Sequence, residues 1–159
     1  MTTDNLTITA MTTEYARQIS HWKYDGEYSL YDENEENADE FMDGTHYICL
    51  SENDELVGYF CFGKDAQIPT VEKNVYEGDY LDIGLGLKPD LCGRKLGLSF
   101  FHKGLDFAFE TFGTTSFRLS VAAFNERAIK VYERAGFYVK REVTHSASMN
   151  KFIVMDCKR

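Results

Sequence analysis

Between Tyr80 and Phe112 the chain switches hydrophobic period once, and that switch constrains its fold more than any other feature. From Tyr80 to Leu87, the apolar Leu81, Ile83, Leu85 and Leu87 alternate with Tyr80, Asp82, Gly84 and Gly86, as in a strand with one apolar face. Beyond the link Lys88-Pro89-Asp90-Leu91-Cys92-Gly93-Arg94-Lys95, residues Phe101, Leu105, Ala108 and Phe112 recur at helical spacing, so a long helix is expected from about Leu96 to Phe112, closed by Gly113. Glycine weakens a strand interior. Gly84 and Gly86 therefore mark a bulge, or a place where another group approaches the backbone and the strand can splay from its neighbour.

The same reading extends to both sides. Leu6 to Thr9 alternates as a strand, and a helix follows over Thr13 to Trp22 with Thr13 as its cap. Tyr24 to Asp32 is an aromatic and acidic loop or short broken helix, and Asn34 to Met42 reads as another helix. His46 to Leu50 and Leu56 to Phe62 form a hairpin across a polar turn, whereas Gly63 to Asp79 gives only a connecting segment. Phe117 to Ala123 is a strand. Asn125 then caps a helix whose Ala128, Val131, Tyr132 and Ala135 share a face, and Gly136 is its left-handed C-terminal residue. Strands at Phe137 to Val143 and Met149 to Met155, joined by His145-Ser146-Ala147-Ser148, complete a mixed α/β (α+β) order that predicts one domain over residues 1–159.

The totals exclude several classes. A length of 159 residues suits one core, and 43% hydrophobic residues with 12 Phe and 10 Tyr are globular usage. A formal net charge of −9 argues against nucleic-acid binding, which needs a basic face, and either suits cationic small molecules or basic peptides or serves only to keep the chain soluble. Cys49, Cys61, Cys92 and Cys157 form no CxxC pair, and His21, His46, His102 and His145 are scattered, so neither a metal site nor a Ser-His-Asp triad is expected. No long apolar run suggests a membrane span and the first residues lack a leader pattern, so a reducing cytoplasm is the expected location. A homodimer remains open.

The chemistry concentrates where the long helix begins. A helix start offers amide donors and a partial positive charge, so Gly93-Arg94-Lys95-Leu96-Gly97 either suits a phosphate or pyrophosphate or simply opens its helix with residues that favour solubility. Neither a Gly-Lys-Ser/Thr ending nor a Gly-x-Gly-x-x-Gly fingerprint is present, so nucleoside triphosphate hydrolysis is unsupported.

Residues 80–137 resemble the GCN5-related N-acetyltransferase (GNAT) superfamily. Its acetyl-CoA motif, Gln/Arg-x-x-Gly-x-Gly/Ala after a strand, falls on Cys92-Gly93-Arg94-Lys95-Leu96-Gly97, with Cys92 in place of Gln or Arg and Lys95 in place of the first motif glycine. Asn125-Glu126-Arg127-Ala128-Ile129-Lys130-Val131-Tyr132-Glu133-Arg134-Ala135-Gly136-Phe137 matches the family's Asn-x-x-Ala-x-x-x-Tyr-x-x-x-Gly-Phe segment at the same spacing. The resemblance implies a central, mostly antiparallel splayed sheet with about four helices on its faces, and transfer of an acetyl group from acetyl-CoA to a small-molecule or peptide amine within a ternary complex. A non-catalytic acyl-CoA-binding module is the alternative.

By that resemblance the backbone of Leu85, Gly86 and Leu87 pairs with the pantetheine arm, and Cys92, Gly93, Arg94, Lys95, Leu96, Gly97 and Leu98 hold the pyrophosphate. Asn125 reaches the cofactor arm or serves only as a helix cap. Tyr132 is either the acid that protonates the departing thiolate or a core aromatic. Asp82 is the candidate base, against the plainer reading of a solvated strand residue. Glu27 and Asp32 either line the acceptor side or belong to an acidic loop. Cys92 sits near a helix start that can lower a thiol pKa, but the family outline turns it toward the phosphates, so no acyl-carrying nucleophile is expected.

Overall fold

A computed structural model describes residues 5–32 and 38–159. Its seven strands are β1 (Thr7–Ala10), β2 (His46–Leu50), β3 (Leu56–Phe62), β4 (Leu81–Leu87), β5 (Ser116–Ala122), β6 (Tyr138–Thr144) and β7 (Lys151–Lys158). The α-helices are α1 (Thr13–Ser20), α2 (Gly97–Phe112) and α3 (Glu126–Arg134), and Gly26–Tyr31 forms a 3-10 segment where a short broken helix was one expectation. The sheet order is β1-β2-β3-β4-β5-β7-β6. All registered pairings are antiparallel except β4 with β5, which is parallel.

Among the boundaries that differ from the sequence reading are those of the first two expected helices. Thr12, not Thr13, caps α1: it keeps extended backbone at φ −122 and ψ 159, and its hydroxyl accepts from the Tyr15 amide, which a residue already in helical geometry cannot do. Of the helix expected over Asn34 to Met42, residues 34–37 lie outside the described residues, and Glu40–Met42 form a single 3-10 turn.

The described chain groups into two compact units, one from residues 1–61 and 85–104, the other from 62–84 and 105–159, so β4 and α2 each contribute to both. In the first, Ala16, Ile19, Trp22, Phe41, Ile48 and Leu56 form a buried cluster. Phe60 stacks on Phe100 with centroids 4.5 Å apart. Gly104 lies where a Cβ would overlap the Phe60 ring, so the helix closes on the strand only because that side chain is missing.

The second unit is built on β5, which pairs with β7 along its whole length, from Ser116↔Lys158 to Ala122↔Phe152. Phe117, Leu119, Phe137, Val154 and Met155 are buried there. The 63–79 segment, expected only as a connection, straps onto the end of β6. The Val71 amide donates to the Thr144 carbonyl at 2.9 Å, and Glu72 accepts from the Thr144 amide at 2.8 Å and hydroxyl at 3.1 Å. Those contacts hold the Glu72 carboxyl below its usual pKa, the Thr144 amide being the largest cause.

Candidate functional site

β4 changes character half-way. Its ladder with β5 registers Leu81↔Phe117 and Asp82↔Arg118, both at the N-terminal end of the strand. Asp82 and Ile83 are buried, whereas Gly84 through Leu87 are half-buried.

At the second of these pairs, Asp82 is not a solvated strand residue. It is 3% exposed and its partner Arg118 4%. Arg118 donates from Nε to Oδ1 at 2.7 Å and from Nη2 to Oδ2 at 2.8 Å, and Gln67 Nε2 donates to Oδ2 at 2.8 Å. Arg118 Nη1 also donates to the Glu77 carbonyl at 2.7 Å, and the guanidinium lies 5.1 Å from the Tyr76 ring centroid and 5.4 Å from that of Tyr80. The hydrogen bonds to Asp82 hold Arg118 above its ordinary pKa, with burial working the other way. Both oxygens of this buried carboxylate are thus engaged by the protein's own donors.

The C-terminal half of β4 is packed from the β3 side. The Lys88 amide donates to the Val57 carbonyl at 2.8 Å, and a Cβ on Gly58 would meet the Gly86 carbonyl oxygen at 2.5 Å. A Cβ on Gly86 would overlap the Tyr59 ring, so the group that approaches this backbone is the protein's own aromatic side chain. Tyr24, from the aromatic loop, donates its hydroxyl to the Leu87 carbonyl at 2.9 Å. Asp32 closes that loop by accepting from the Tyr24 amide at 2.6 Å, and Glu27 is exposed on the 3-10 segment.

After Leu87, Pro89–Leu91 form a 3-10 turn and the chain enters α2 through two left-handed residues, Gly93 at φ 79 and Lys95 at φ 62. Lys95 thus keeps the conformation that a glycine would adopt at the position where the motif has one. The departure is accommodated at the cost of a strained residue. Gly93, Arg94 and Lys95 are exposed. The Phe100 amide donates to the Leu96 carbonyl at 3.0 Å, so the amides of Gly97, Leu98 and Ser99 precede the helical ladder and form its electropositive end. Cys92 is half-buried, with its sulfur 3.7 Å from the Leu87 carbonyl and 3.6 Å from that of Lys88.

On α3, Asn125 Oδ1 accepts from the Ala128 amide at 3.1 Å, so the capping role is real. Tyr132, seven residues on and hence on the same helical face, is buried at 8% exposure. Gly136 closes the helix at φ 99. Burial pushes the Cys49 thiol up to about 12 and raises that of Cys157, which makes both poor nucleophiles. No described helix is long and apolar enough to cross a membrane.

These elements coincide with the reach of one family model. The acetyltransferase (GNAT) family model matches residues 9–137. The chain belongs to the GNAT acetyltransferase family. No curated protein sequence matches it significantly. Solved GNAT relatives share its fold at low identity. A spermidine N-acetyltransferase chimera from Vibrio cholerae and hSSAT is 16% identical, with a TM-score of 0.74 over 98% of this chain and 96% of that one. A GNAT-family acetyltransferase from Bacillus anthracis is 14% identical, with a TM-score of 0.74 over 98% and 95%.

Sequence reasoning missed the partners of Asp82 and the anchoring of Leu87. One signal was available for the first: Arg118 sits between Phe117 and Leu119 as Asp82 sits between Leu81 and Ile83, each a charge inside an apolar strand. Nothing in the sequence links Tyr24 to Leu87 or Tyr76 to Ser120.

Proposed function

We propose that this GNAT protein transfers the acetyl group of acetyl-CoA directly to a small amine, without an acyl-enzyme. The observation that carries this reading is the entry to α2, where Gly93 and Lys95 bend the chain so that Arg94, Lys95 and the first helical amides form a cationic, donor-rich turn. That turn fits a diphosphate, and residues 92–98 are assigned to it. The half-buried backbone of Leu85, Gly86 and Leu87 is assigned to the pantetheine arm, and Asn125 to the cofactor on α3.

Acetyl-CoA supplies an activated thioester. The amine attacks as its free base, the carbon–nitrogen bond forms as the carbon–sulfur bond breaks, and the amine proton passes to water. Tyr132 gives its phenolic proton to the departing thiolate and takes one back from water, so that no net proton is lost from the enzyme. A small cationic acceptor is consistent with the net charge of −9, and because spermidine acetyltransferases share this fold, polyamines are the first acceptors to try.

Thiol release from acetyl-CoA in the presence of an amine panel tests the reading. Amine-dependent release is expected, and Tyr132→Phe is expected to lower kcat by about a hundredfold or more while the acetyl-CoA KM changes little. Stabilisation of the fold by acetyl-CoA with no release on any amine would contradict the proposed catalysis and leave a binding module.

A further inference from the structure

We propose that the Asp82–Arg118 pair is a positioning clasp that fixes the first half of β4 on β5, and so sets the start of the backbone that runs on to the acyl donor. The two residues are register partners in the β4–β5 ladder, so their side-chain pairing and the strand pairing fall at one level. The pairing is two-pronged and buried, which demands one separation and one orientation of the two strands.

The surroundings hold it in place. Gln67 fixes the second carboxylate oxygen, the Glu77 carbonyl takes the remaining guanidinium arm, and the rings of Tyr76 and Tyr80 flank the guanidinium. Tyr76 in turn bonds Ser120 Oγ at 2.6 Å and accepts from the Ile68 amide at 3.2 Å, which ties the 67–80 segment to β5 two residues past the clasp. On its far edge β5 is committed to β7 through Ala122. β5 is therefore immobilised around Arg118, and Asp82 is the point at which β4 is fastened to it.

A buried ion pair is a poor choice for stability alone, because apolar residues of similar volume usually serve as well. What they do not supply is a fixed rung. The inference rests on the proposed acetyl transfer, in which the residues after Asp82 meet the acyl donor, and neither Asp82 nor Arg118 is required to touch it.

The test uses the whole protein with both charges removed, Asp82→Leu with Arg118→Met, alongside Arg118→Lys, which keeps the charge and loses the fork. Amide exchange is measured without ligand, and kcat and the acetyl-CoA KM with a reactive amine. In the double variant, amides of residues 81–84 are expected to exchange at least about tenfold faster relative to the β5–β7 ladder, with an unchanged melting temperature. The acetyl-CoA KM is expected to rise about tenfold in both variants, with a smaller change in kcat. Unchanged exchange and unchanged KM in the double variant would overturn the clasp. Should the double variant fail to fold, Arg118→Lys decides on the same two readouts. If the unaltered protein neither binds nor turns over acetyl-CoA, the functional reading fails, and exchange alone still decides whether the pair sets the rung.

Discussion

The two halves of β4 share one alternating pattern and are built for different ends. At Leu81 and Asp82 the strand is laddered to β5, and its polar face carries a buried carboxylate gripped by Arg118 and Gln67. From Gly84 to Leu87 the residues are half-buried, and the polar-face position holds Gly86 beneath the Tyr59 ring. Hydropathy does not separate these halves, because Asp82 and Gly86 both read as the non-apolar position. What separates them is the chemistry of that position: a charge with a partner across the ladder makes a fixed rung, and a missing side chain admits an aromatic ring and leaves backbone near the surface.

The largest effect is expected where the first half is broken outright. Arg118→Ala leaves Asp82 as a buried charge without its ion-pair partner, and a loss of about 3 to 5 kcal/mol in denaturant unfolding is expected. Retention of the original stability would mean the pair is solvated in solution. Next comes the second half. Gly58→Ala would force a methyl against the Gly86 carbonyl and the Phe100 ring, and a loss of about 1 to 3 kcal/mol is expected by thermal unfolding. A neutral result would show that β3 does not brace this part of β4.

Much of this was legible beforehand, and the limits have physical causes. β2 and β3 were read to the residue, because β-branched and aromatic runs bounded by a polar turn leave no competing structure. The Asn125 cap, the Gly136 stop and the α2 start followed from local rules that involve only a few neighbouring residues. The segment 63–79 was opaque because its order comes from partners far along the chain: Glu72 with Thr144, Gln67 with Asp82, Tyr76 with Ser120. Asp82 was assigned a possible proton-accepting role for the same reason, since a strand pattern shows which face a carboxylate takes but not what waits there.

Smaller effects sharpen the comparison. At the turn that continues β4 into α2, Lys95→Gly is expected to relieve the left-handed strain and stabilise the fold by up to about 1 kcal/mol, offset in part by the flexibility of glycine in the unfolded chain. The same change should weaken acetyl-CoA binding most at low salt, where a lost cation matters most. A destabilised variant would show that the lysine side chain supports the turn. The smallest effect is pH-dependent and lies in the strap. Because folding lowers the Glu72 pKa from its ordinary 4.5, its contribution is present above that pH and is lost as the pH falls through the lower folded value. Glu72→Gln should therefore differ from the parent protein at neutral pH and converge with it on acidification below 4.5, as followed by urea unfolding across that range.

The central claim is that the open half of β4 and the turn into α2 receive the acyl donor, whereas the clasped half only holds them in place. Titrating coenzyme A into isotope-labelled protein and following backbone amides tests it most directly. The account predicts that shifts concentrate at residues 85–87 and 93–99, with Leu81 and Asp82 little moved. Saturable binding whose shifts bypass both segments, or no binding at millimolar coenzyme A, would contradict it.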